Sequence, residues 1–215
     1  MKKCSSKPVA ELFGLPPAPK TGRERLVYAA VELVYLHGFQ AVGVDQVIAE
    51  AGVSKTTFYN HFESRDELFV AAIRLRDEWE MKSFDAALRQ VAPDDPQAKL
   101  LAIFDVLDLW FTSPDFRGCQ FINAAAEFPN PHDPVHAAAA EHKRRTRDGF
   151  RDLAAAAGIV AAEAFADQYT ALVEGTLILR QIHGRDDAAR VVRPAVELLL
   201  AHHLPPVGNA LRGVP

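Results

Sequence analysis

One stretch near the start of the chain, residues 38–68, constrains the fold more than any other. Its sequence is GFQAVGVDQVIAEAGVSKTTFYNHFESRDEL. Apolar residues recur there at i, i+3, i+4 and i+7, a spacing that predicts a short helix with one buried face, formed by Val44, Val47, Ile48 and Ala51. Gly52 can end this helix in the left-handed conformation, and Ser54 can cap the next one. The stretch therefore predicts two short helices joined by a tight turn, a helix-turn-helix.

The second of these helices carries a polar outer face. It is predicted to extend from about Lys55 to His61 and to bury Phe58 and Phe62. The residues left outside contain hydrogen-bond donors and no carboxylate: Lys55, Thr56, Thr57, Tyr59, Asn60 and His61. Such a face suits phosphates and the base edges of a major groove, so double-stranded DNA is the predicted partner. The alternative is a solvated polar face on an ordinary helical hairpin.

The residues of this stretch resemble the TetR family of transcriptional regulators. The resemblance rests on Gly38-Phe39, Ala51-Gly52-Val53-Ser54-Lys55, Thr57-Phe58-Tyr59, His61-Phe62, Ser64-Arg65 and Leu68. It implies that residues 55–61 form the recognition helix and that Lys55, Tyr59 and Arg65 contact phosphates. It also implies that the next helix connects the DNA-binding head to the effector-binding part of the chain.

Two positions depart from the family pattern. Val42 and Gly43 occupy the place where the family usually has Thr or Ser. Gly43 can still be an N-cap, but it has no hydroxyl for a backbone phosphate. Ile48 replaces a small alanine, so we expect a local repacking against Leu33 or Phe58.

Length and composition indicate a globular protein. A chain of 215 residues, 49% hydrophobic and 24% charged, is long enough to bury a sizeable core. No apolar run reaches the roughly 18 residues that cross a bilayer, and the first 20 residues lack the apolar region of a secretory signal. We therefore expect a cytoplasmic protein that does not enter a membrane. The net charge of −4 argues against a protein that coats nucleic acid indiscriminately.

Composition and capping signals divide the chain into four segments. Residues 1–20 are rich in Pro, Ser and Lys and predict a flexible basic arm, which could follow a DNA backbone or only aid solubility. Thr21 and Glu24 form a capping-box pattern that begins a helix-turn-helix DNA-binding domain over 21–66. An effector-binding and dimerisation domain is predicted over 67–204, followed by a tail over 205–215. The expected buried stripe of the first helix is Leu26, Ala29 or Ala30, Leu33 and Leu36.

The rest of the chain also predicts helices and no strands. Apolar periodicity and Pro or Gly breaks favour helices over 65–91, 97–112, 119–127, 134–157, 161–183 and 187–203. With the first three, this gives an all-α fold of about nine helices: an N-terminal three-helix head and a larger helical domain. On the long helix 65–91, the residues expected to face water are Arg74, Asp77, Glu78 and Glu80.

The last two helices predict a homodimer. Their apolar residues exceed what one helical hairpin can hide, so a second copy could complete a four-helix interface. Gly175 would allow the helices to approach closely. The predicted dimerisation residues are Leu172, Gly175, Leu179, Ile182, Val192, Val196 and Leu199. The alternative is that these helices complete the core of the monomer.

The C-terminal domain also offers residues for a small-molecule effector. Aromatic walls with a few polar groups fit a largely apolar ligand, and they fit an ordinary core equally well. The candidate residues are Phe104, Leu107, Trp110, Phe111, Cys119, Phe121, Asn123, Phe150, Tyr169 and Leu172. Cys119 follows Arg117 and Gly118, where a helix N-terminus and a cation can activate a thiol, so redox or electrophile sensing is an alternative to ligand binding. A small buried apolar residue is the other interpretation of Cys119.

No catalytic or metal-binding pattern is recognisable in the sequence. It contains no phosphate-binding glycine loop, no paired-cysteine zinc spacing and no HExxH motif. We therefore expect no cofactor, no metal and no enzymatic activity; a helical enzyme that uses the aromatic body remains a third alternative. The sequence favours a homodimeric repressor that binds a double-stranded DNA operator and is released by a small-molecule effector.

Overall fold

The computed structural model describes residues 18–92, 94–114 and 116–204. Within these residues the chain forms helices only, which confirms the all-α prediction. The helices are α1 Gly22–His37, α2 Val44–Ala51, α3 Lys55–Tyr59, α4 Arg65–Val91, α5 Pro96–Phe111, α6 Gln120–Glu127, α7 Pro134–Ala156, α8 Ala162–His183 and α9 Ala188–His203. Most of the predicted arm, Pro93 and the predicted tail lie outside the described residues.

Helices α1 and α3 each begin at a residue whose side chain caps the helix, as the sequence predicts. The Thr21 hydroxyl accepts the Glu24 N–H at 3.2 Å, and the Glu24 carboxylate accepts the Thr21 N–H at 3.0 Å, which completes the capping box. The Ser54 hydroxyl accepts the Thr57 N–H at 3.1 Å at the start of α3. Between α2 and α3, Gly52 takes the left-handed conformation with φ of 61°. Local sequence chemistry therefore fixes the helix-turn-helix.

Helix α3 is shorter than the sequence suggests. The prediction extended it to His61, but α3 ends at Tyr59. The His61 N–H bonds to the Phe58 carbonyl at 2.9 Å, a three-residue step that tightens the last turn. Asn60 and His61 therefore project from a turn instead of a regular helix.

Helix α1 packs against α2 and α3, and its buried residues form the core of the head. Leu26, Ala30 and Leu33 are buried as predicted, but Leu36 is 49% exposed. The buried side of the last turn is formed instead by Val34, because the apolar stripe follows the face that α2 and α3 cover. On α2, Val47 is fully buried and Ile48 is half-buried.

The described helices divide into two compact units. The first extends to Ala87 and also includes Thr112–Thr146; the second consists of Leu88–Phe111 and the chain from Arg147 onward. This division by packing differs from the functional division at residue 66, which remains a prediction. Among the described helices, none combines the length and apolar character needed to cross a membrane.

The second unit is built around Tyr169 on α8. This side chain is fully buried, its ring packs edge-on against Phe104 and Phe150 at 5.8 and 4.8 Å, and its hydroxyl donates to the Leu100 carbonyl at 2.5 Å. Helix α9 packs on both α8 and α5. Two arginines of α9 pair with two aspartates of α5, Arg190 with Asp108 at 2.8 Å and Arg193 with Asp105.

Candidate nucleic-acid interface and effector domain

The outer face of the helix-turn-helix carries five of the six residues that the sequence predicts there. Phe58 and Phe62 are both buried, with ring centroids 5.8 Å apart, so the opposite side of the segment faces solvent. The exposed residues are Lys55, Thr56, Tyr59, Asn60 and His61. Donors and a large aromatic ring thus share one exposed surface, a combination that suits phosphates and base edges.

Thr57 does not belong to this outer face. Its side chain is half-buried, and its hydroxyl lies 2.8 Å from the hydroxyl of the N-cap residue Ser54. Its methyl carbon faces the start of α1, where a Cβ added to Gly22 would lie 2.8 Å from it. Thr57 therefore holds α3 against α1, and the prediction that it points outward is wrong because the α1 contact was not visible in the local pattern.

The two cations predicted to contact phosphates, Lys55 and Arg65, each have a carboxylate partner. The Lys55 ammonium lies 3.0 Å from the Asp45 carboxylate, and this hydrogen bond raises the pKa of Lys55. Both side chains are largely exposed, so the pair contributes little to stability and Lys55 is available to a phosphate. Arg65 is half-buried: its guanidinium lies 5.2 Å from the ring centroid of Phe69 and 3.4 Å from the Asp66 carboxylate.

Most residues proposed for the effector lie in the second unit and are buried. They belong to the aromatic cluster around Tyr169, to α5 or, in one case, to α8: Phe104, Leu107, Trp110, Phe111, Phe150, Tyr169 and Leu172. Only Leu172 is half-buried. Burial raises the pKa of Tyr169 well above its usual value, so its phenol stays neutral and its proton is already donated to a carbonyl.

The other three proposed effector residues lie in the first unit, on or next to α6. Cys119 is buried and occupies the N-cap position of α6. The Phe121 ring stacks on the imidazole of His142, with centroids 3.4 Å apart. The Asn123 amide donates to the Arg117 carbonyl at 3.3 Å, and the Arg117 guanidinium donates to two other backbone carbonyls.

A buried polar cluster in the first unit was not predicted. Asp77, which we expected to face water, is buried and pairs with Arg145, and its Oδ1 lies 2.8 Å from Nδ1 of the buried His142. On the far side of the imidazole, Nε2 lies 3.9 Å from the Glu80 carboxylate. One feature of the sequence could have indicated that Asp77 is buried: it lies four residues after the buried Ile73, on the apolar side of α4.

Burial also decides the charge of this histidine. It lowers the pKa of His142, while Glu80 and Asp77 raise the pKa and Lys143 lowers it further. The net direction is downward, so the neutral form is favoured. The Nδ1–H of neutral His142 donates a hydrogen bond to Asp77. The buried carboxylate therefore accepts hydrogen bonds from both His142 and Arg145.

The last two helices expose apolar side chains at the surface of the second unit. Ile182 is 68% exposed and Leu198 is 73% exposed, and Ile178 and Val191 are also exposed. Gly175 is exposed, and a Cβ added to it would meet nothing within 4 Å. Four other residues predicted for dimerisation are half-buried: Leu172, Leu179, Val192 and Leu199.

Val196 differs from the other predicted dimerisation residues. It is completely buried within its own subunit. A side chain that is already covered contributes no surface to a partner, so Val196 is a core residue. Leu198, two positions further along α9, lies on the exposed side of the helix.

Comparisons with known proteins agree with this architecture. Residues 26–72 match the model for bacterial regulatory proteins of the tetR family, and residues 96–196 match the model for the tetracyclin repressor-like C-terminal domain. Together these matches cover more than half of the chain. The solved structure of SCO4454, a TetR-family transcriptional regulator from Streptomyces coelicolor, has a TM-score of 0.77 and 29% sequence identity. That match covers 86% of this chain and 96% of the other.

Curated relatives are also regulators. The transcriptional regulator AcuR of Cereibacter sphaeroides is 26% identical over 80% of this chain and 87% of its own length. The transcriptional activator FasR of Mycolicibacterium smegmatis is 32% identical over 88 residues, so the match spans only 40% of its length. The fold, the two matched domains and these relatives are those of transcriptional regulators. This chain belongs to the TetR family of DNA-binding transcriptional regulators.

Proposed function

We propose that this protein is a homodimeric repressor that binds an operator through α3 and is released when a small molecule binds its C-terminal domain. The observation that carries the proposal is the outer face of the helix-turn-helix, where five exposed polar side chains lie opposite the buried Phe58 and Phe62. None of these five residues carries a carboxylate, and a set of hydrogen-bond donors of this kind is suited to a polyanion.

Within this proposal, different side chains have different roles. Lys55, Tyr59 and Arg65 contact phosphates and set the position of α3 on the duplex. Thr56 and Asn60 contact base edges, and His61 contributes at the end of the same surface. Phosphate contacts supply affinity without sequence information, whereas base contacts supply sequence preference. Tyr59→Ala should therefore weaken binding to all duplexes, and Asn60→Ala should change which duplexes are preferred.

Dimerisation would place two copies of α3 in successive major grooves. The surface proposed for it consists of the exposed apolar side chains of α8 and α9, with Gly175 allowing a close approach of helices. Two half-sites about one helical turn apart match a two-fold symmetric reader. A symmetric operator is thus the expected DNA partner.

Release by an effector would follow from population shift. The ligand would bind more tightly to the state in which the two α3 helices are misplaced for adjacent grooves. The ratio of its affinities for the two states sets how far the operator affinity falls. The aromatic cluster of Phe104, Phe150 and Tyr169 is the candidate contact surface in the second unit. Its composition favours a largely apolar ligand.

The test begins with selection of binding sites from a pool of random duplexes. We expect a palindromic consensus and an affinity that falls steeply with salt. Apolar aromatic compounds are then screened for release of the selected duplex. A protein that stays monomeric and shows no salt-sensitive attraction to any duplex would contradict the proposal.

A second mechanism of release is favoured by the position of Cys119. The buried thiol is the N-cap residue of α6, and helix N-termini are places where reactive cysteines occur. In this alternative, oxidation or alkylation of Cys119 replaces ligand binding as the signal. Mild oxidant should then release DNA from the parent protein and leave the Cys119→Ser complex intact, whereas equal release from both proteins would exclude the thiol.

A further inference from the structure

The C-terminal end of α6 is hydrogen-bonded to the loop that leads into the helix-turn-helix. The backbone N–H of Gln40 donates to the Glu127 carboxylate at 2.7 Å. The side-chain amide of Gln40 donates to the Glu127 carbonyl at 3.2 Å. The two residues are 87 positions apart in the chain, so this contact is a tertiary one that no local sequence pattern requires.

The neighbouring loop residues hold this contact in place. Gly38 has φ of +84°, and a Cβ added to it would lie 3.0 Å from the Glu127 carboxylate. Phe39 is completely buried, and its ring packs edge-on against Phe69 and Phe128 at 5.4 and 6.0 Å. The loop backbone therefore packs tightly against the Glu127 carboxylate, so neither group can move without displacing the other.

The same loop sets where the DNA-binding helices begin. After Gln40 it passes through the fully buried Val42 to Gly43, the N-cap of α2, and α2 leads through the Gly52 turn to α3. A hydrogen bond to a carboxylate is about twice as strong as one between neutral groups. The Glu127 carboxylate, as a charged acceptor for the Gln40 N–H, thus restrains the entry into α2.

We propose that Glu127 is a positioning residue for DNA binding: its carboxylate, fixed on α6, holds the loop before α2 and so sets the placement of the exposed face of α3. Glu127 acts through Gln40 and does not contact DNA. The proposal depends on DNA binding by this family member and is independent of any effector or of the sign of regulation.

Electrostatics alone predicts the opposite effect of removing this side chain. A carboxylate near a DNA-binding surface repels phosphates, so its removal would raise the affinity for DNA. A positioning role predicts that the affinity falls instead. The direction of the change therefore separates the two explanations without any assumption about the operator.

The experiment measures binding of the selected duplex by the full chain and by three variants. Glu127→Ala should weaken binding about tenfold, as expected for loss of a charged acceptor. Glu127→Gln should weaken it about threefold, because the amide oxygen still accepts a neutral hydrogen bond. The matched control Glu141→Ala removes an exposed carboxylate that pairs with Arg144 on its own helix, and binding should stay unchanged.

Two further readouts separate positioning from a general loss of structure. The slope of log affinity against log salt should equal that of the parent, because no phosphate contact is lost. Hydrogen exchange of the Gln40 amide should accelerate while amides in the middle of α4 keep their protection. Gln40→Ala, which removes only the 3.2 Å bond, provides a milder variant should Glu127→Ala fail to fold.

Several results would overturn the proposal. It fails if Glu127→Ala binds the duplex as tightly as the parent or more tightly, or if Glu141→Ala loses as much affinity. It also fails if the affinity falls only in proportion to the unfolded fraction. Absence of duplex binding by the parent itself would instead refute the proposed function, so the two failures are distinguishable.

Discussion

At the scale of single residues, the buried histidine of the first unit makes stability depend on pH. Burial lowers the pKa of His142 in the folded state, so the folded protein binds this proton less readily than the unfolded chain. The stabilising contribution is complete above the unfolded pKa of about 6.5 and is lost as the pH falls below it. The free energy of unfolding should therefore decrease from pH 7.5 to pH 5.

Replacement of the imidazole tests this dependence. In His142→Phe a flat ring keeps the stack on Phe121, and Asp77 keeps its pair with Arg145. Urea unfolding of the variant should show a smaller loss of stability between pH 7.5 and pH 5 than the parent, although its stability at pH 7.5 is lower because Asp77 loses one donor. His61→Asn, on the exposed surface, is the control. Parallel pH profiles for the parent and His142→Phe would contradict the assignment.

Two glycines should respond in opposite directions to the same substitution. Gly38 combines φ of +84° and ψ of 160° with a contact of 3.0 Å to Glu127, a backbone region that is essentially restricted to glycine. Gly38→Ala should cost about 1–3 kcal/mol of unfolding free energy. Gly149 lies within α7 in open space, so Gly149→Ala should stabilise by about 0.5–1 kcal/mol. Thermal and denaturant unfolding measure both, and equal effects would refute the role given to Gly38.

At the scale of helices and turns, the sequence predicts where helices begin and end better than it predicts which of their side chains are buried. The limits of α4 agree with the prediction, and the capping box at Thr21 and the left-handed Gly52 are as expected, because these features depend on residues within one turn. The burial of Asp77 depends instead on His142 and Arg145, 65 and 68 positions away. Such partners are set by how α4 and α7 pack, which periodicity alone does not encode.

The candidate site shows the same limit. The sequence identifies the exposed face of α3, since Phe58 and Phe62 define the buried side. It misplaces Thr57, whose methyl faces α1. In the C-terminal domain the aromatic residues are found, but the sequence does not distinguish a core side chain such as Val196 from the exposed Leu198.

Thr56 and Thr57 provide a matched pair of adjacent substitutions. Thr57→Val removes the hydroxyl that lies 2.8 Å from Ser54 at the start of α3, so we expect a loss of about 1 kcal/mol of unfolding free energy and weaker binding to every duplex. Thr56→Val, on the exposed face, should leave stability within about 0.5 kcal/mol and alter sequence preference. Denaturant unfolding and competition between duplexes measure these effects. If Thr57→Val changed preference without changing stability, Thr57 would be a base contact after all.

At the scale of the whole molecule, the proposed function requires two copies of the chain. The exposed apolar residues of α8 and α9 would be unusual on a monomer, since an apolar surface of this kind marks an interaction site. A glutamate at Ile182 or Leu198 places a charge in that surface and should shift the protein from dimer to monomer in sedimentation experiments. The folded helices themselves should persist, because neither side chain belongs to the core of the subunit.

DNA binding should fall together with dimerisation. In the proposed dimer each α3 helix would contact one half-site, and the second contact would gain an effective concentration because the subunit interface holds the two helices together. Ile182→Glu and Leu198→Glu should therefore lower affinity for a symmetric duplex about 100-fold, and for a single half-site much less. Val160→Glu is the control, because Val160 is 94% exposed and lies between α7 and α8. Variants that are monomeric yet bind the symmetric duplex like the parent would show that the subunits recognise DNA independently.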